Sequence, residues 1–138
     1  EVLIVSKPCF YVIQQLCHDL NNYKNRIEFR FTIGSDKDKV LKYWEPNAPS
    51  IEERLNSVVF ALQNGFKVSI SCEPLLENDT HIVDMLLAID AIQEIWIGAM
   101  NYVKDKPKLD FHGIYAQYKE NPKIKWKNSF LDQMAKVK

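Results

Sequence analysis

The sequence predicts an α/β fold built on a parallel sheet, and three observations predict it. Short runs rich in β-branched and aromatic residues recur at Val2 to Val5, Ile27 to Ile33, Phe66 to Ile70 and Ile95 to Ile97. These runs are continuously apolar rather than strictly alternating, as strands covered on both faces are. Between them lie segments of helical period, so strand and helix alternate four times before further helical sequence closes the chain. Such alternation argues for parallel strands joined by right-handed crossovers. Four βα units are half of an eightfold barrel, too few to close one, which leaves an open sheet or a part of a larger barrel.

Each element has its own signal. The first strand opens at Val2 with no turn or cap before it, so the start reads as cut. Pro8 suits a first helical turn, and Ile13, Leu16, Cys17 and Leu20 behind it fall at helical spacing. Ser35 to Pro49 reads as a long insertion whose Trp44 to Pro49, with Pro46 and Pro49, make a rigid loop at the carboxyl end of strand two. Ser50 with Glu53 forms a capping box for a helix carrying Leu55, Val58, Val59 and Leu62, and Gly65 supplies a left-handed C-cap. Asp79 or Thr80 caps an apolar helix through Ile82, Val83, Leu86, Leu87 and Ile89. Two helices are expected last, around Asp110 to Lys119 and Ser129 to Val137. Residues 1–105 therefore read as the βα body and 106–138 as a helical extension.

Composition narrows the class of function. Eighteen basic residues balance eighteen acidic ones, so no global field draws the surface to nucleic acid or anionic lipid. The lysines at 119, 123, 125, 127, 136 and 138 around Trp126 read as the solvated face of a terminal helix. Three cysteines are an odd number, which makes a reducing cytoplasm the simplest compartment, and no apolar run is long enough to span a bilayer. With only four glycines there is no glycine-rich phosphate loop, and neither C-x-x-C nor H-E-x-x-H occurs. His18, His81 and His112 are scattered without metal-ligand spacing, and no metal site is expected.

The strand ends carry the polar signal. In strand three Ser69, Ser71 and Glu73 alternate with Val68, Ile70 and Cys72; in strand two Arg30, Thr32 and Gly34 alternate with Phe29, Phe31 and Ile33. A polar row on an otherwise buried strand needs a ligand, water or partner to satisfy it. Arg30 and Glu73 could satisfy one another. Strand one ends in Ser6 and Lys7, and strand four in Gly98, Met100 and Asn101. Polar groups thus gather where both barrels and open α/β sheets bind ligands.

Arg30-Phe31-Thr32-Ile33-Gly34-Ser35, then Trp44-Glu45-Pro46-Asn47-Ala48-Pro49-Ser50 with Glu53-Arg54, then Ser69 to Pro74, Ile95-Trp96-Ile97-Gly98 with Met100-Asn101, and the tail Asn121-Pro122-Lys123 with Lys125 to Ser129, span nearly the whole chain. Together they resemble the later strands of radical-SAM proteins of the spore photoproduct lyase and DNA repair photolyase group. The resemblance implies a partial (βα)6 TIM barrel, of which this chain is the carboxyl-terminal half. In that family a C-x-x-x-C-x-x-C loop binds a [4Fe–4S] cluster, and S-adenosylmethionine on the cluster gives a 5′-deoxyadenosyl radical. No three cysteines here have that spacing, so neither cofactor is expected to be bound by this chain alone beyond feeble contacts to S-adenosylmethionine, and the chain alone would be inactive.

Carried over by position, Lys7 and Thr32 match strand-end positions of the family's S-adenosylmethionine site, while Glu73, Gly98 and Asn101 face the same mouth by pattern. The expected cofactor-binding set is Lys7, Thr32, Glu73 and Asn101. The expected partner is the amino-terminal half of the barrel, with nucleic acid as a further candidate and self-association through an open sheet edge as a third. A stand-alone α/β module for a small anionic ligand, or a structural interaction domain, is the alternative.

Overall fold

A computed structural model describes all residues, 1–138. Five strands form one sheet in the order β1 (Val2–Ser6), β2 (Ile27–Thr32), β3 (Lys67–Cys72), β4 (Ile95–Ile97) and β5 (Ile124–Trp126). Every neighbouring pair is parallel, so the chain steps across the sheet one strand at a time. The parallel α/β class read from the sequence is the class observed.

The strand count is not the one expected. β5 lies inside the segment 106–138, which therefore contributes to the sheet as well as two helices. Its three residues carry Lys125 in the middle of a lysine-rich stretch, so no apolar run marks it. The tail lysines accordingly do not share one helical face: Lys125 is on a strand, and Lys127 caps the next helix.

Six α-helices accompany the strands: α1 (Phe10–Asp19), α2 (Asp38–Trp44), α3 (Ile51–Gln63), α4 (His81–Leu87), α5 (Phe111–Tyr118) and α6 (Asn128–Lys136). A 3₁₀ turn at Asn21–Arg26 leads into β2. α2 forms within the insertion ahead of the rigid loop, where no element was expected, because two turns with only Leu41 buried leave too little apolar periodicity to see; Glu45 to Pro49 are irregular, as a loop is. α3 ends as expected, with Gly65 at φ 81° and a Schellman pair, Phe66 N–H to Ala61 carbonyl at 3.1 Å and Gly65 N–H to Leu62 carbonyl at 3.0 Å. Its start is half the expected box: Ser50 Oγ accepts from Glu53 N–H at 3.2 Å, but the Glu53 carboxylate takes Phe10 N–H, at 2.9 Å.

The register sorts the side chains. Ile4, Phe29 and Val68 align across three strands, as do Ile70, Ile95 and Ile124, and these residues share one core with Ile13, Val58, Val83, Ile114 and Phe130 from five helices. Right-handed crossovers between sequential strands place their helices on a single side. The other face is polar and carries the site. β1 and β5 are the outer strands of the sheet, and on β1 Val2, Leu3 and Val5 are about half exposed. No helix is long and apolar enough to cross a membrane.

Candidate functional site at the polar sheet face and its mouth

Period two and the parallel register build a polar row across the sheet. Thr32 of β2, Ser71 of β3, Trp96 of β4 and Lys125 of β5 are aligned neighbours, with Arg30 beside Ser69 one step below. Arg30 Nε donates to Ser69 Oγ at 2.9 Å and Nη2 to Glu28 Oε1 at 3.2 Å, while Ser69 Oγ donates to the same Glu28 oxygen at 2.5 Å. Glu94 lies 3.7 Å from the guanidinium and accepts from Trp96 Nε1–H at 2.9 Å. The Trp96 ring has two cations within reach of its π-system, Arg30 at 5.1 Å and Lys127 at 5.0 Å from the centroid. Arg30 therefore does not pair with Glu73.

Glu73 finds its partners at the start of α6, its N-cap Lys127 and Ser129 of its first turn. Oε1 accepts from Ser129 Oγ at 3.2 Å, and Oε2 lies 3.4 Å from Lys127 Nζ. Gly98 makes room for it: a Cβ there would stand 2.6 Å from Glu73 Cγ. Because Cγ is near the backbone rather than at a flexible tip, only glycine fits beneath this carboxylate.

The opposite side of the mouth is organised by Arg54. It is fully buried, with Nε donating to the Pro49 carbonyl at 2.9 Å, Nη1 to the Thr32 carbonyl at 3.1 Å and Nη2 to Glu45 Oε2 at 2.7 Å. Glu45 Oε1 in turn lies 3.3 Å from Lys7 Nζ. Lys7 joins this group through Glu45 while Thr32 contributes only its backbone carbonyl, Glu73 joins a second group with Lys127 and Ser129, and Asn101 accepts from Gln133 Nε2 of α6 at 3.3 Å. The mouth holds two polar groups, of which the second meets the Arg30 to Trp96 row through Lys127.

Glu45, Arg54, Lys127 and Ser129 were not singled out as site residues. A signal for Arg54 existed: it falls in helical register with the buried residues Ser57, Val58 and Ala61. Of the expected apolar pattern Leu55, Val58, Val59 and Leu62, Val58 is fully buried and Leu55 and Leu62 pack against the core, while Val59 is exposed. The inner face of α3 thus combines the core residues Val58 and Ala61 with the buried polar Ser57 and Arg54.

A third cluster ties the loop after β2 to the loop before α4. Ser35 Oγ donates to Glu77, Lys37 Nζ reaches Glu77 at 2.7 Å and Asp79 at 2.8 Å, and His81 Nδ1 sits 2.7 Å from Asp36. The bond to Asp79 raises Lys37, and the same bond lowers Asp79; the bond to Asp36 raises His81. Cys17 and Cys72 are buried thiols pushed up by desolvation to about 11 and about 12. No three His, Cys, Asp or Glu side chains come together as a metal-binding group.

No family model, curated protein or solved structure matches the chain.

Proposed function

We propose that this chain forms one wall of a radical-SAM partial (βα)6 barrel of the spore photoproduct lyase and DNA repair photolyase type. Its polar sheet face lines the barrel interior, and the carboxyl ends of its strands form the mouth. The observation that carries this reading is a sequential, all-parallel strand order combined with a polar row opposite the helix-packed face. A doubly wound sheet would bury both faces under helices, whereas a barrel wall keeps one face for its interior.

The exposed β1 edge is where a sixth parallel strand adds, and that strand brings the cluster loop. The cluster itself does not fit this chain, because Cys9 precedes α1, Cys17 is on α1 and Cys72 ends β3. S-adenosylmethionine supplies radical chemistry once held beside such a cluster. This chain's share is to bind and orient: Lys7 and Thr32 on one side of the mouth, Glu73 on the other, Asn101 at the rim. Nucleic acid is the substrate class that goes with this reading, and a reducing cytoplasm suits three free cysteines.

The test is a calorimetric titration of the chain with S-adenosylmethionine. Weak, saturable binding reduced in Lys7→Met and Glu73→Gln is expected; no binding at millimolar ligand overturns the reading. A second reading, a stand-alone module for a small anion, is favoured by one observation, the single 25-residue core that the chain closes by itself. Phosphate binding tighter than S-adenosylmethionine binding would select it.

A further inference from the structure

Arg54 cannot lose its charge, and burial without partners would cost it several kcal/mol, so its surroundings must hold an anion in place. Glu45 is that anion, with 6% of its side chain exposed. Only Oε2 is used by Arg54; Oε1 turns to Lys7, whose side chain is 45% exposed at the end of β1. Glu53, next to Arg54 on the first turn of α3, takes Phe10 N–H at 2.9 Å. Two consecutive residues of α3 therefore hold the β1–α1 turn, one through its backbone and the other through Glu45 and Lys7.

Two consequences follow for the ammonium. A free lysine loses about 2 kcal/mol of rotamer entropy when a ligand fixes it, and an ammonium already held by Glu45 loses less. One carboxylate also stands between two cations, which leaves the outer cation incompletely neutralised and able to meet an anion. With three donors on the ammonium, and Glu45 facing one side of it, donors remain for that anion.

We infer that Glu45 and Arg54 are positioning residues that present the Lys7 ammonium to a carboxylate of the ligand at the mouth. This rests on the reading of the mouth as a place for S-adenosylmethionine, whose carboxylate is the group in question.

Trace acetylation of the full chain with acetic anhydride, read by peptide mass spectrometry, tests the positioning without any ligand. Lys7 should react more slowly than Lys104, an exposed loop lysine. Glu45→Gln, which keeps an acceptor for Arg54 but removes the charge facing Lys7, should raise the Lys7 rate about threefold, as expected of a half-exposed ion pair. Glu45→Asp, which draws the charge back from Lys7, gives the same contrast if Glu45→Gln fails to fold. An unchanged Lys7 rate overturns the positioning role. In calorimetry with S-adenosylmethionine, Glu45→Gln and Lys7→Met should weaken binding by similar factors, and the double variant should bind no more weakly than Lys7→Met. Additive losses would show that Glu45 acts on its own and would overturn the proposal. If the unmodified chain takes up no S-adenosylmethionine, the reading of the mouth falls, while the acetylation contrast still decides whether Glu45 positions Lys7.

Discussion

Arg54 Nη2 and Glu45 Oε2 lie 2.7 Å apart, with the guanidinium wholly enclosed and the carboxylate almost so. Removing one member of such a pair leaves the other charged and desolvated. Arg54→Met should therefore lower unfolding free energy by about 3–5 kcal/mol, the usual consequence of breaking a buried ion pair. Urea denaturation measures it, and a loss below about 1 kcal/mol, the size typical of an exposed pair, would show that the site is not sealed as described.

The His81 to Asp36 contact gives a signed pH dependence. Asp36 raises His81, with Asp79 and Asp84 adding to the effect. A group raised on folding contributes stability fully below its unfolded value, about 6.5 for histidine, and loses it as pH climbs through the folded value. Stability should thus fall gently as pH rises from about 6.5 through the raised value. In Asp36→Asn the His81 resonance should titrate closer to the ordinary histidine range in an NMR series; an unchanged midpoint would mean that Asp36 is not the cause.

Phe130 of α6 decides whether the tail is an appendage. It is fully buried, edge-on to Phe111 at 5.0 Å and tilted against Trp126 at 4.8 Å, and it belongs to the same core as β2 and β3. Phe130→Ala should cost about 3–5 kcal/mol and shift one cooperative transition that far-UV and near-UV circular dichroism report together. Two separate transitions would instead make residues 106–138 an independent unit.

What was legible in the sequence follows the strength of local signals. β1 to β4 were visible because Val, Ile and Phe cluster in runs, and α3 because Ser50 and Gly65 mark both its ends. β5 was not, since Ile124 and Trp126 flank a lysine and the strand is three residues long. At the site, period two in β3 put Ser69, Ser71 and Glu73 on one face, which is the face they share with Thr32 and Trp96. The pairings were beyond local reading: Arg30 turns to Glu28 two residues away, and Glu73 to Lys127 across two strands, because partner choice depends on register and on the space above Gly98. Arg54 was hidden for the opposite reason, as a charge on the inner face of a helix looks like a surface residue until its carboxylate is found.

The last expectation concerns the cluster. Iron–sulfur ligation needs several thiolates brought to one place. Cys9 stands at the N-cap of α1, Cys17 two turns along the same helix, and Cys72 at the inner end of β3. Burial holds Cys17 and Cys72 as thiols, pushed up to about 11 and about 12, so neither offers a thiolate near neutrality. Moving them into one loop would require dismantling the contacts of α1 and β3 with the core. Anaerobic incubation with iron and sulfide, followed by desalting, should therefore give a colourless protein, and addition of S-adenosylmethionine and dithionite should release no 5′-deoxyadenosine. A stoichiometric cluster on the folded chain, or turnover of S-adenosylmethionine by it, would overturn both the placement of these cysteines and the reading of this chain as a barrel wall that relies on a further strand for its chemistry.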